Sequence, residues 1–178
     1  MSLVELVNLK LSILTVSAQV FIAFSVAYFI FFRKQYGFIQ KYFEQNALFL
    51  SFIVALAATL GSLFYSEILG YEPCKLCWFQ RIFMYPQVIL LGMAFWKRDE
   101  EIIKYSLILS AIGVFLAGYH YLMQLGVVNS PCPVVGYSVS CSKLFVMQFG
   151  YITIPLMSLT AFVLIILFHI FPNIRESN

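Results

Sequence analysis

A chain of 178 residues with 62% apolar side chains, 18% aromatics and only 11% charged residues cannot keep its surface wet as a soluble domain would. Its composition predicts an all-α integral membrane protein. The net charge of +3 is scattered over short connecting segments with no continuous basic patch, so no nucleic-acid partner is expected.

Residues 11–32 carry no charge, and at about 1.5 Å per residue they cover the roughly 30 Å hydrocarbon core. The segment is expected to stay as a first span. Its head carries Glu5 and a lone Lys10, the apolar run is too long for a signal peptide, and no small-residue cleavage site follows. A short basic connection, with Arg33, Lys34 and Lys41, leads to a second span at 46–69 that contains Gly61. Residues 78–96 form a third, with Trp78 and Trp96 at its two ends as interface anchors and Pro86 expected to kink it. A charged turn at 97–104 is followed by a fourth span at 105–125, where Gly113, Ala117 and Gly118 offer a face for close helix packing. Residues 126–150 read as an exposed irregular loop whose apolar tail, 143–149, is expected on the membrane surface. A fifth span at 152–171 and a short polar tail at 173–178 complete the chain.

Basic residues orient these spans, because cytoplasmic segments carry more Lys and Arg. With the N-terminus outside, Arg33, Lys34, Lys41, Lys97, Arg98, Lys104 and Arg175 face the cytoplasm, seven of the eleven basic residues, together with the C-terminus. All four cysteines, Cys74, Cys77, Cys132 and Cys141, then fall outside, where disulfides persist. Two spans separate Cys77 from Cys132, so both pairs share one face and can exchange disulfides directly.

The stretch Cys74-Lys75-Leu76-Cys77-Trp78-Phe79-Gln80-Arg81 carries the chemistry. Two residues between cysteines suit a disulfide that opens and closes, and they also suit a structural bridge or half of a zinc site. Four cysteines allow three pairings, and spacing alone does not choose among them. Cys77 is expected at or just before the first turn of the third span, where free backbone N–H groups and the helix dipole stabilise a thiolate. Arg81 lies one helical turn deeper and suits either that thiolate or the carbonyl oxygen of an electron acceptor, with a snorkelling charge as the bland alternative. Cys132, between Pro131 and Pro133, is held extended and presentable. His120, near the outer end of the fourth span, suits a hydrogen bond to a quinone oxygen or a proton relay, and equally an interfacial role among tyrosines. His169, near the cytoplasmic end, fits the interfacial role.

The run from Cys74 through Arg81 to Ile82-Phe83-Met84-Tyr85-Pro86 resembles the signature of the disulfide bond formation protein B family, in its short Gram-positive type. The likeness extends to Tyr119-His120-Tyr121-Leu122-Met123-Gln124, to the second cysteine pair and to the stretch opening the last span. It implies a four-helix transmembrane bundle at 46–172, with 1–45 as an additional N-terminal transmembrane helix and its basic connection, and 173–178 as a cytoplasmic tail. It also implies a thiol:quinone oxidoreductase of a bacterial plasma membrane, using menaquinone or ubiquinone and partnered by an extracytoplasmic, DsbA-like thioredoxin-fold oxidase. That partner would attack the Cys132–Cys141 disulfide at Cys132, Cys141 would attack Cys74, and Cys77 would pass electrons to a quinone beside Arg81 and His120, with no metal. The additional helix departs from the family pattern. Vitamin K epoxide reductase relatives use a similar bundle, but their CxxC pair follows the loop pair, and here the order is reversed.

Overall fold

Inside a bilayer every backbone polar group needs a partner from its own segment, and uninterrupted apolar runs meet that need as helices. The computed structural model describes residues 3–31, 38–97, 99, 101–128 and 140–173. The basic connection at 33–37, Cys132 with its two flanking prolines, and the tail at 174–178 lie outside the described residues. Five α-helices follow in order: α1 (Leu3–Phe31), α2 (Phe38–Leu63), α3 (Lys75–Lys97), α4 (Ile102–Gln124) and α5 (Ile154–Asn173). The end of α2 widens into a π-helical turn, Phe64–Ile68, where Leu69 N–H donates to Phe64 O at 3.2 Å.

Among the described residues three helices are long and apolar enough to cross a membrane, over Val4–Tyr28, Asn46–Ile68 and Ile102–Gln124. This is a helical membrane protein. The apolar part of α5, Ile154–Ile170, is shorter. Helix α3 carries Lys75, Arg81 and Lys97 and buries Gln80 and Gln87, so the residues that make it chemically useful also make it the least apolar of the five. Its start, at Lys75, comes three residues earlier than the sequence predicts, and it runs unbroken through Pro86.

Burial is inverted relative to a soluble bundle. Trp96 is 89% and Phe115 73% exposed, whereas Ser12, Ser51, Ser106 and Ser110 are fully buried. Large apolar side chains facing outward and small polar ones facing inward are what lipid on one side and helix on the other demand. Helix α2 packs on α3 and α5, and α4 packs on the same two, closing a ring around a core of Ala55, Met84, Leu91, Ala117, Phe162 and Ile165. Helix α1 lies outside that ring against α5.

Two buried details fix the helix contacts. Gln87 Oε1 accepts from both Ser106 and Ser110 at 3.0 Å, joining α3 to α4. On α4, Gly113 and Ala117 lie on the buried stripe, while a Cβ on Gly118 would meet nothing, so only part of the expected small-residue face is used. At Gly113 a Cβ would overlap the ring of Phe162. Gly113→Ala should therefore destabilise the bundle by about 1–3 kcal/mol, read as a lower unfolding midpoint in detergent, with Gly118→Ala as the silent comparison.

Candidate active site

Helix α3 begins one residue after Cys74, which makes Cys74 its N-cap. The Cys74 carbonyl accepts from Trp78 N–H at 3.1 Å, and Cys74 Sγ accepts from Cys77 N–H at 3.4 Å, as a capping side chain does. Cys77 sits in the first turn with its Sγ 3.1 Å from that of Cys74, and both are free thiols. With His120 they form a group of three possible metal ligands whose ligand atoms lie within 4.8 Å of one another. The Cys77 thiol beside it, helped by His120 and opposed by burial, holds the Cys74 thiol well below its ordinary range.

His120 is 1% exposed and lies between the two cysteine segments. Its Nε2 is 3.0 Å from Cys141 O and 3.7 Å from Cys74 Sγ, and its Nδ1 is 2.9 Å from Gln80 Nε2. A carbonyl only accepts, so Nε2 carries the proton and Nδ1 accepts from the Gln80 amide. The same last turn of α4 holds the loop at two further points: Gln124 donates to Lys143 O at 3.3 Å and Tyr121 to Tyr151 O at 3.2 Å. Cys141 is 1% exposed and disulfide-bonded, and it packs in one buried cluster with Cys74, Leu76 and Met123. Between Cys74, His120, Ser140 and Lys143 the free space is only about 20 Å³, room for about one water.

On the other side of the cysteine pair opens a cavity of about 290 Å³. Cys77 and Arg81 line it, whereas Cys74 and His120 do not. Arg81 is tied to α2 by Nε donating to Ser62 Oγ at 3.0 Å and Nη2 donating to Ser62 O at 3.2 Å, and its guanidinium lies over the Trp78 ring at 5.2 Å. Tyr85 OH also donates to Ser62 Oγ, at 3.3 Å. A guanidinium has five N–H donors, so these bonds leave others to face the cavity. The remaining wall is almost wholly apolar, from Ile53 and Ala57 on α2 to Met157 and Leu164 on α5.

Residues 44–171, which contain the four cysteines, Ser62, Gln80, Arg81 and His120, match the family of "Disulfide bond formation protein DsbB". The chain belongs to the DsbB family. It is 46% identical over 122 residues to "Probable disulfide formation protein C" of Halalkalibacterium halodurans, covering 68% of this chain and 88% of that one. It is also 46% identical over 121 residues to "Disulfide bond formation protein C" of Bacillus subtilis, with the same coverage, and 43% identical over 123 residues to the "SPbeta prophage-derived disulfide bond formation protein B" of that species, covering 69% and 82%. No solved structure matches the chain.

In this DsbB-family chain the predicted site residues divide between two sides. Cys74, His120 and Cys141 gather at the loop, Arg81 faces the cavity, and Cys77 borders both, lining the small loop-side space as well as the cavity. Cys132 lies outside the described residues. Sequence reading missed Gln80 and Ser62. Gln80 is 6% exposed on the same buried stripe as Leu76 and Met84, and an amide at that spacing in a lipid-facing helix was a readable signal. Ser62 follows Gly61 in an apolar run, and nothing in the pattern marks it as the anchor of Arg81. In the 143–149 segment Val146 is buried and Phe145 stacks on Tyr71 at 5.0 Å, while Leu144, Met147 and Phe149 stay exposed.

Proposed function

We propose that the protein is a membrane thiol:quinone oxidoreductase that re-oxidises an extracytoplasmic thioredoxin-fold dithiol oxidase and passes two electrons to menaquinone or ubiquinone. The observation that carries this reading is the division of the cysteine pair, with Cys74 against the Cys141 segment and Cys77 opening on an apolar cavity beside Arg81. The cavity suits a quinone: it is apolar along its length and has a sulfur and guanidinium donors at one end. All five helices then cross the plasma membrane of a bacterium, with the cysteine loops outside and the C-terminus inside. Residues 46–172 act as the catalytic four-helix bundle, with 1–45 added before it and 173–178 as its tail.

The chain's residues act in sequence. The partner's thiolate attacks a Cys132–Cys141 disulfide at Cys132, and the released Cys141 thiolate attacks Cys74 in the Cys74–Cys77 disulfide. Cys77 leaves as the thiolate on the cavity side. Arg81, fixed by Ser62, stabilises negative charge there and orients an acceptor oxygen. The partner's second thiolate then displaces Cys132 from the mixed disulfide, and Cys132 re-forms its bond to Cys141, which frees Cys74; Cys74 and Cys77 are left as a dithiol whose re-oxidation to the disulfide would give two electrons and two protons to a bound quinone. The net change is one dithiol oxidised to a disulfide for each quinone reduced.

Purified protein mixed with a reduced thioredoxin-fold oxidase should consume a soluble quinone in a one-to-one ratio with disulfide formed. Arg81→Ala should raise the quinone KM by about 10- to 100-fold, with partial recovery in Arg81→Lys, because a point charge replaces a planar fork. A protein that holds stoichiometric zinc, leaves its thiols unreactive and reduces no quinone would overturn the reading in favour of a structural subunit.

A further inference from the structure

Helix α1 lies outside the family match, which begins at residue 44, yet it forms part of the cavity. Leu11, Leu14, Thr15 and Ala18 all line the space that Cys77 and Arg81 open onto. Anchors on the same face of α1 hold it there. Asn8 Oδ1 accepts from Tyr65 OH at 3.0 Å, Gln19 Nε2 donates to Thr160 Oγ1 at 3.3 Å, and Gln19 Oε1 accepts from Tyr151 OH at 3.1 Å. Deeper along the helix the ring of Phe21 meets that of Phe168 at 6.1 Å. Asn8, Ser12, Thr15 and Ser25 are buried while Ile13, Val20 and Phe24 are exposed, so α1 is docked in one rotation about its axis.

The depth of these residues matters. Leu11 reaches to 4.0 Å from where a Cβ on Gly61 would stand, next to the Ser62 that holds Arg81. Ala18 is seven residues further on, about 10 Å deeper at the helical rise. The α2 wall follows the same course, from Ser62 down to Ile53. The cavity is thus a slot running along the helices, with its reactive groups at the outer end and a mostly apolar wall below, in which Thr15, Ser158 and Thr160 are the polar members.

We propose that α1 is the wall that binds the isoprenoid tail of the quinone, with Leu14 and Ala18 bounding the tail while Cys77 and Arg81 meet the ring. This rests on the quinone reading above and adds to it a specificity element that the family match does not contain. A ring without a tail would use the outer end alone. A tailed quinone would gain the contact with α1.

The test compares KM for a decyl-substituted benzoquinone and for its tail-less ring counterpart in wild-type protein, Ala18→Phe and Val20→Phe. Val20 is 62% exposed and points away from the slot, so Val20→Phe is the control for bulk added to α1. Wild type and the control should prefer the tailed quinone, and Ala18→Phe should lower that preference about tenfold or more. An unchanged preference in Ala18→Phe overturns the role of α1. Wild-type protein that reduces neither quinone overturns the parent reading instead. Should Ala18→Phe fail to fold, wild-type protein labelled with a quinone carrying a photoreactive group at the tail end decides the matter. Label competed by decylbenzoquinone on the peptide containing Leu14 and Ala18 supports the proposal, and label confined to α2 and α5 overturns it.

Discussion

Cys77→Ser should reduce steady-state quinone reduction by about 10³-fold or more, the scale on which removal of a reacting nucleophile is felt. Cys77 is the one cysteine lining the 290 Å³ cavity among the described residues, so the variant severs the cavity from the thiols. Its effect is selective. Cys74 keeps its cap hydrogen bonding to the residue 77 N–H and its place beside His120, and the loop disulfide remains available to the partner. Reduced thioredoxin-fold partner should therefore be oxidised once, by up to one equivalent per protein, and no further. Stopped-flow thiol counting measures that single equivalent, and loss of quinone absorbance measures turnover. Full turnover in Cys77→Ser would remove the central role assigned to this sulfur and with it the two-sided reading of the cysteine pair.

The sequence carried the helices and the shared face of the cysteines because both follow from long-range composition. An apolar run of about 20 residues has few alternatives to a helix in lipid, and two spans between the cysteine segments return the chain to the side it left. The split between Cys74 and Cys77 was less legible. It depends on α3 starting at Lys75, which turns Cys74 into a cap and rotates Cys77 toward the cavity. A shift of a residue or two in a helix boundary is the least certain part of any reading from pattern. Gln80, Ser62 and the inward face of α1 were hidden for another reason. In a soluble helix the apolar side faces in, so Asn8, Ser12, Thr15 and Gln19 look like exposed positions in an otherwise apolar run. In lipid the sense is reversed, and the polar stripe marks the packed side.

His120→Ala should slow electron passage from the loop to the Cys74–Cys77 pair by about 10- to 100-fold and leave the quinone KM within about twofold. The sequence admits a role at the quinone or a role among interfacial tyrosines, and the geometry points elsewhere. His120 Nε2–H bonds Cys141 O at 3.0 Å and lies 3.7 Å from Cys74 Sγ, and the ring does not line the cavity that holds Cys77 and Arg81. Alanine removes a side chain that touches both cysteine segments, and it leaves the buried Gln80 amide without its partner at 2.9 Å. A displacement of about 1 Å between attacking and attacked sulfur is enough for a rate loss of this size. Rapid mixing of reduced partner with quinone-free protein isolates the exchange step, and steady-state titration with a soluble quinone isolates the acceptor site. His120→Gln, whose amide can still donate toward Cys141 O, should recover part of the exchange rate. A raised quinone KM with an unchanged exchange rate would move His120 to the acceptor side and leave the Cys141 carbonyl contact as packing alone.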